Sequence, residues 1–506
     1  MPGSPSGNVE RSAALNFASN SLSKAQRVEL ISLTAFGLAL RVFFALYSGY
    51  VEEDAYITFQ FARNLAAGQG FVYNPGEAIY GSTTPLLTLL LAGWMALGGE
   101  PVLGARLLGL AGAAAYLSLT WAALVRLGVP RVGRVCAVGL LACAPRLAAL
   151  DLAGMEQPLV LAFMAASAWA GLRGRWGWAG VWGGLLLWTR LDTGLWLALL
   201  GAAAIWQRRA AGGLRFAGAA AGIYLPWVVY ASAVFGSPIP HTVTAKWAAY
   251  AHSGAVPIHT GWKPALDAFF LFRTTHPLLY ISLALSAGLF VLAGWGAAAL
   301  AGGLLFAAYG EAALGVERKL ALVFAAAGGL AFWAGRRPWA AAVRWAALGW
   351  LALAFAGTAG FTLRTTAVTL REVQSVRHEA SLKAVGLWLN RHTPLDARVL
   401  LEPLGYAGYY AQRVMLDEVG LVTPAVVALK RSGVTDTYEA LDALRPDYVL
   451  LHCDDALRWA ERDPQPENRL TRAFRLAAEI NPLGFDPRDA ETRGRNSCYQ
   501  IWERYP

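Results

Sequence analysis

Charge is scarce in this sequence. Asp, Glu, Lys and Arg make up 15% of its 506 residues, against about a quarter in soluble domains. Cysteine is scarcer still, with four residues and no Cys-x-x-Cys spacing, which argues against a structural zinc site. Neither a Walker loop nor a Rossmann glycine loop occurs, so nothing marks a nucleotide site. Basic residues do not interleave with aromatics, so the net charge of +10 does not read as a nucleic-acid surface. They cluster between apolar runs instead, as the positive-inside rule places them. What the chain has in quantity is apolar sequence: 56% hydrophobic residues, arranged in repeated membrane-length stretches. This is the composition of a polytopic membrane protein. Its 20 Trp and 18 Tyr suit interfacial belts, with a carbohydrate platform as the second reading.

The expected fold is mainly α: a transmembrane helical bundle of about eleven spans followed by a small soluble α/β domain. Residues 1–26 form a polar cytoplasmic N-terminus, 27–361 the transmembrane catalytic domain and 362–506 the soluble domain. The first span runs from Val28 to Tyr50, with Lys24 and Arg27 before it and acids after it, which puts its N-terminus inside. Pro85–Gly98 is too short to cross and reads as an interfacial or re-entrant helix. Val102–Leu127, Val132–Leu150 and Leu159–Leu172 follow as spans. Trp178–Trp206 forms a hairpin interrupted by Thr189-Arg190-Leu191-Asp192-Thr193, and Arg215–Val234 leaves again. Further spans are expected near Pro277–Gly294, Gly296–Tyr309, Leu320–Ala334 and Trp339–Phe361, leaving the C-terminal domain outside. In that domain Glu379–Arg391 and Tyr438–Leu444 read as helices. Ala397–Glu402, Tyr448–His452 and Tyr499–Trp502 read as strands. Cys136 and Cys143 sit in an apolar run as inert thiols, while Cys453 and Cys498 can pair if the domain is extracytoplasmic.

The first polar interruption is residues 51–85. It opens with Glu52, Glu53 and Asp54 directly after a span, continues into a short helix bearing Tyr56 and Arg63, and then breaks at Gly68, Gly70, Asn74, Pro75 and Gly76. Carboxylates at a membrane interface are costly unless solvated, paired or used. The predicted topology brings Glu53, Asp54, Glu156, Arg190, Asp192, His241 and Lys246, from four separate segments, to this same side. Acids alone would suggest metal or base chemistry. Acids beside an Arg and a Lys suggest an anionic lipid head group next to a proton acceptor, since Arg grips phosphate bidentately and Lys acts as a point charge. A carboxylate can take the proton from an attacking hydroxyl, and phosphate leaves well once its charge is neutralised.

The residues that carry this chemistry resemble a known family. Glu53-Asp54-Ala-Tyr, Ala62-Arg-Asn-Leu-Ala-Ala-Gly-Gln-Gly, Tyr73-Asn-Pro-Gly-Glu77, Gly154-Met-Glu156, Thr189-Arg190-Leu-Asp192 and Pro240-His-Thr-Val-Thr-Ala-Lys246 are similar to stretches of GT-C-fold glycosyltransferases that use polyprenyl-phosphate sugars. Within that class the chain most resembles the mycobacterial arabinofuranosyltransferases that cap arabinan. Leu404-Gly-Tyr-Ala-Gly-Tyr-Tyr410 and Leu416-Asp-Glu-Val-Gly-Leu-Val-Thr-Pro424 resemble the soluble domain of related enzymes. The resemblance implies an inverting transfer from a polyprenyl-phosphate sugar to a hydroxyl of a cell-envelope glycan or glycolipid, at the outer face of the bacterial plasma membrane. It implies Asp54 as catalytic acid with Glu53 beside it, although the family usually shows two aspartates there. Arg190 and Lys246 would bind the donor phosphate. Glu156, Asp192, Tyr56, His241 and Arg63 would bind substrate or support the site. Some members use a divalent metal (Mg or Mn); Glu53, Asp54 and Glu156 could hold one.

A flippase or transporter of lipid-linked sugars is the alternative. Transporters tend to carry inverted repeats with paired broken helices, and no convincing internal repeat is visible. A non-catalytic polysaccharide scaffold would not need acids and bases converging on one face.

Overall fold

The computed structural model describes residues 22–243, 245, 363–376, 378–434, 437–465, 468–484, 486 and 497–506. Lys246 and the four spans expected between Pro277 and Phe361 lie outside the described residues.

Helix α1 (Lys24–Ser48) opens on a capping box in which Ser23 and Gln26 satisfy each other's backbone amides, and closes on Gly49 at φ 66°. At about 1.5 Å per residue its 25 residues exceed the hydrocarbon thickness. Helix α2 (Glu53–Ala66) starts with two acids in its first turn, where the helix dipole favours them. Helix α3 (Pro85–Ala96) has Pro at its start and 12 residues, about 18 Å, so it is too short to cross, as its length in the sequence indicates. Helix α4 (Pro101–Arg126) is capped by the Glu100 carboxylate, which accepts from the amides of Val102 and Leu103.

The expected span Val132–Leu150 is instead two helices, α5 (Arg131–Cys143) and α6 (Pro145–Leu150). Pro145 cannot donate to the preceding turn and drives Ala144 out of helical geometry, to ψ 114°. Helices α7 (Gln157–Leu172) and α8 (Trp176–Thr189) run antiparallel, and α9 (Gly194–Phe235) follows a short 3₁₀ turn at Leu191–Thr193. Helix α9 folds back on itself: Phe216 packs with Leu197, Leu200 and Ala204. Its arms are thus the returning half of the predicted hairpin and the next span. Lys24–Ser48, Pro101–Arg126 and Ala210–Phe235 are the described helices long and apolar enough to cross a membrane. Small residues let helices approach closely where lipid offers no hydrophobic drive. A Cβ on Gly112 would lie 2.7 Å from the Pro158 carbonyl oxygen.

Among the described residues, the bundle contains one fully buried ion pair. Arg41 Nε donates to Asp151 Oδ2 at 2.7 Å, with both side chains 0% exposed. Asp151 therefore turns into the bundle, although it lies only five residues before Glu156.

A helical stretch at residues 363–375 leads into the C-terminal domain, which opens with α10 (His378–His392). Strands β1 (Arg398–Leu401), β2 (Val414–Asp417) and β3 (Tyr448–His452) are parallel. Strands β4 (Phe474–Ile480) and β5 (Tyr499–Arg504) are antiparallel, and the sheet order is β2-β1-β3-β5-β4. Helix α11 (Gly405–Ala411) connects β1 to β2, α12 (Pro424–Arg431) and α13 (Thr437–Leu444) connect β2 to β3, and α14 (Cys453–Arg462) and α15 (Arg469–Ala473) precede β4. The predicted helices and three strands are present; β2 and β4 are additional. The central strands are continuous apolar runs because both faces are covered. Val399, Leu401 and Leu450 face α10, α11 and the first loop. Leu400, Val449 and Leu451 face Val426, Leu441, Leu444 and Trp459 on the other side.

Cys453 and Cys498 form a disulfide, with Cα atoms 5.5 Å apart and a sequence separation of 45. Closing a loop of that length is worth about 4 kcal/mol in the chain-entropy account. Reduction is therefore expected to destabilise the C-terminal domain by roughly that amount, measured as a loss of denaturation midpoint in dithiothreitol that a Cys453→Ser/Cys498→Ser variant already shows without it.

Candidate active site

The site forms where the α2 N-terminus meets two other segments. The Glu52 amide donates to the Ala153 carbonyl at 2.8 Å. Gly154, at φ 97°, presses against Ala55, Phe59 and Val51, where a side chain would collide. This lays the 151–156 loop along the start of α2 and delivers Glu156. The side chain of Glu156 is 4% exposed and accepts from Arg190 Nη1 at 2.9 Å. Arg190 stands in extended geometry just past α8. Its remaining face grips Asp192, Nε to Oδ1 at 3.1 Å and Nη2 to Oδ2 at 2.6 Å. Glu156, Arg190 and Asp192 thus form one charge-assisted cluster. The guanidinium keeps 38% of its side chain open and Asp192 keeps 65%, so this cluster has an accessible rim.

Asp54 is exposed. Glu53, half-buried beside it, hydrogen-bonds to Asp54 and accepts from the backbone amide of Gly405 in the C-terminal domain. Burial, and then the Asp54 charge, push the Glu53 carboxyl up to about 8, so it holds its proton at neutral pH while Asp54 is the member of the pair that faces solvent. Glu402, at the end of β1, is also raised, by the surrounding protein first and then by the charges of Asp455 and Asp54. It therefore stands near the same acids. The three acids considered for a divalent metal do not fit one together. Among the described residues their oxygens do not gather within 4.8 Å; the one such group is Cys453, Glu479 and Cys498, whose cysteines are in the disulfide. Glu156 is also committed to Arg190, and Glu53 to Asp54 and Gly405.

The other candidates hold structure around this centre. The Tyr56 hydroxyl lies 3.3 Å from that of Tyr410, and its ring packs 4.0 Å from Tyr406 between centroids. Arg63 donates to the Tyr409 carbonyl at 3.0 Å and to Gln60, with its guanidinium 4.3 Å from the Tyr409 ring centre. His241 bridges to the first loop, its amide donating to the Tyr80 carbonyl at 2.8 Å and its Nδ1 accepting from the Tyr80 amide at 3.2 Å. With Nδ1 accepting, the imidazole is neutral, and burial, then Arg431, holds its pKa below the ordinary value. The residues that sequence chemistry missed are Gly405, Tyr406, Tyr409, Tyr410 and Glu402. The signal for Gly405 and the three tyrosines is the Leu404–Tyr410 stretch, which carries a resemblance but no chemistry of its own; Glu402 has none beyond ending a strand.

The apolar helices and this architecture are those of an integral membrane protein with the GT-C fold. The chain is similar over 95% of its length to the crystal structure of ArnT from Cupriavidus metallidurans bound to undecaprenyl phosphate, covering 98% of that chain at a TM-score of 0.51 and 15% identity. Residues 369–502 match a family described as a domain of unknown function, DUF8728. That match runs from within the 363–375 helical stretch into β5. No curated protein matches the chain.

Proposed function

We propose that the chain is an inverting glycosyltransferase that moves a sugar, arabinofuranose by resemblance, from a polyprenyl-phosphate donor to a hydroxyl of an envelope glycan or glycolipid. The observation that carries the reading is the state of the acids around the first loop. Glu53 and Glu156 are both tied up, while Asp54, beside Glu53, is exposed. Asp54 takes the proton of the acceptor hydroxyl as its oxygen attacks the anomeric carbon. The bond from that carbon to the phosphate oxygen breaks, the configuration inverts, and polyprenyl phosphate leaves with its charge held by Arg190 and Lys246. The undecaprenyl phosphate bound in the ArnT structure supports a donor of this class. The disulfide supports an extracytoplasmic C-terminal domain, since such bonds persist in oxidising compartments. No step is assigned to a metal.

The test is turnover of a panel of synthetic polyprenyl-phosphate sugars, arabinofuranose included, by the purified full-length protein with oligosaccharide and glycolipid acceptors. Appearance of extended acceptor with release of polyprenyl phosphate is the expected result. Consumption of no donor, together with donor movement between leaflets of proteoliposomes, would replace it with the transporter reading.

A further inference from the structure

One face of α2 carries Glu53, Tyr56, Gln60 and Arg63, at helical spacing. That face does not look into open solvent. It is docked on the C-terminal domain, and α11 is the element it meets. Between them run the Gly405 amide to Glu53 Oε1, the Tyr410 and Tyr56 hydroxyls, and Arg63 to the Tyr409 carbonyl. On either side the Tyr406 hydroxyl donates to the Val51 carbonyl at 3.1 Å, and the Tyr73 hydroxyl donates to the Leu404 carbonyl at 2.9 Å. Asn74 exchanges two hydrogen bonds with the Met415 backbone, at 2.9 and 3.0 Å.

We propose that Gly405 of the C-terminal domain is a positioning residue for sugar transfer: its amide fixes the Glu53 carboxyl, and Glu53 in turn fixes the reacting carboxylate of Asp54. This rests on the transferase reading above. The inference follows from two observations. Glu53 has two polar partners, one on each side, the Gly405 amide and the Asp54 carboxylate. Position 405 has no room for any side chain. A Cβ there would lie 2.6 Å from Glu53 Oε1 and closer still to the Glu53 backbone carbonyl, so the amide can reach the carboxyl only because the residue is glycine. The Glu53 carboxyl spans from the first loop to a backbone amide of another domain. Asp54 itself is exposed and would sample several rotamers. A neighbour held from behind restricts it to the geometry in which an acceptor proton can be taken, and misplacement by about 1 Å can cost about 10²-fold in rate. The C-terminal domain then completes the catalytic acid pair instead of merely covering it.

The experiment compares full-length parent, Gly405→Ala, Glu53→Ala and Glu53→Gln. Gln keeps an acceptor for the Gly405 amide and a donor for Asp54. Gly405→Ala and Glu53→Ala are expected to lower kcat by about 10²-fold with donor KM within about twofold of the parent, and Glu53→Gln to recover most of the Glu53→Ala loss. Hydrogen exchange at the Gly405 amide should be slow in the parent and in Glu53→Gln and fast in Glu53→Ala, a readout that needs no turnover and holds if Gly405→Ala fails to fold. Parental kcat in Gly405→Ala, or Gly405 exchange indifferent to Glu53→Ala, overturns the proposal. A parent that turns over no donor removes the transferase reading and the positioning role together. Gly405 exchange then decides on its own whether the interdomain contact exists.

Discussion

Asp54→Asn is expected to lower the rate of sugar transfer by about 10²–10⁴-fold, the range a positioned general base contributes, while leaving donor KM close to the parent's. The substitution is nearly isosteric and keeps an oxygen to accept from Glu53. What it removes is the ability to take a proton. Asp54 is exposed at the first turn of α2, so the loss of its charge leaves no buried partner stranded and the fold should survive. Steady-state transfer from the accepted donor, with donor binding measured separately by displacement of a non-transferable analogue, checks both halves. Asn at parental rate would place the base elsewhere. Glu402 would then come first, being exposed and close enough to feel the Asp54 charge, because Glu53 and Glu156 are engaged.

The second large effect is on stability. Arg41 sits inside the bundle with all five guanidinium N–H groups matched. Nε goes to Asp151 at 2.7 Å, Nη1 to the carbonyls of Gly37 and Ala142 at 2.8 and 2.9 Å, and Nη2 to the Leu141 carbonyl at 3.3 Å and to the Tyr116 hydroxyl. Tyr116 passes its own proton to Asp151 Oδ2 at 2.7 Å. Arg41→Leu leaves Asp151 buried without its cation, which is expected to cost about 3–5 kcal/mol. Arg41→Leu with Asp151→Leu removes the stranded charge, and apolar replacements of whole buried pairs are often close to neutral. The double variant should therefore be more stable than the single one. Equilibrium unfolding of the two in detergent micelles measures the difference. A single variant as stable as the parent would mean that the pair does not contribute to holding α1 against α4 and the 151–156 loop.

How much of this was legible beforehand depends on the range of the interaction. The membrane character, the limits of α1 and α4, the short α3 and the three central strands all follow from runs of apolar residues and from local stop signals, which act within a few residues. The first loop could be picked out because acids next to a span are costly wherever the chain goes. The break at Pro145 is also local, yet an apolar run hides it, since hydropathy does not register a missing amide proton.

The pairing of side chains was not legible. The charge pattern put Glu53, Asp54, Glu156, Arg190 and Asp192 on one side, but the same five charges can combine in many ways. Only the fold commits Glu156 and Asp192 to one guanidinium, turns Asp151 inward to Arg41, and sets Tyr56 and Arg63 against tyrosines about 350 residues further along the chain. Sequence by itself determined the solvent this protein lives in and which loop is too polar to be idle, because transfer of each side chain from water to lipid is a property of that residue and its near neighbours. The tertiary structure alone decided which acid is left open, because hydrogen-bond and ion-pair energies fall off within a few ångströms and depend on what distant segments bring to that spot.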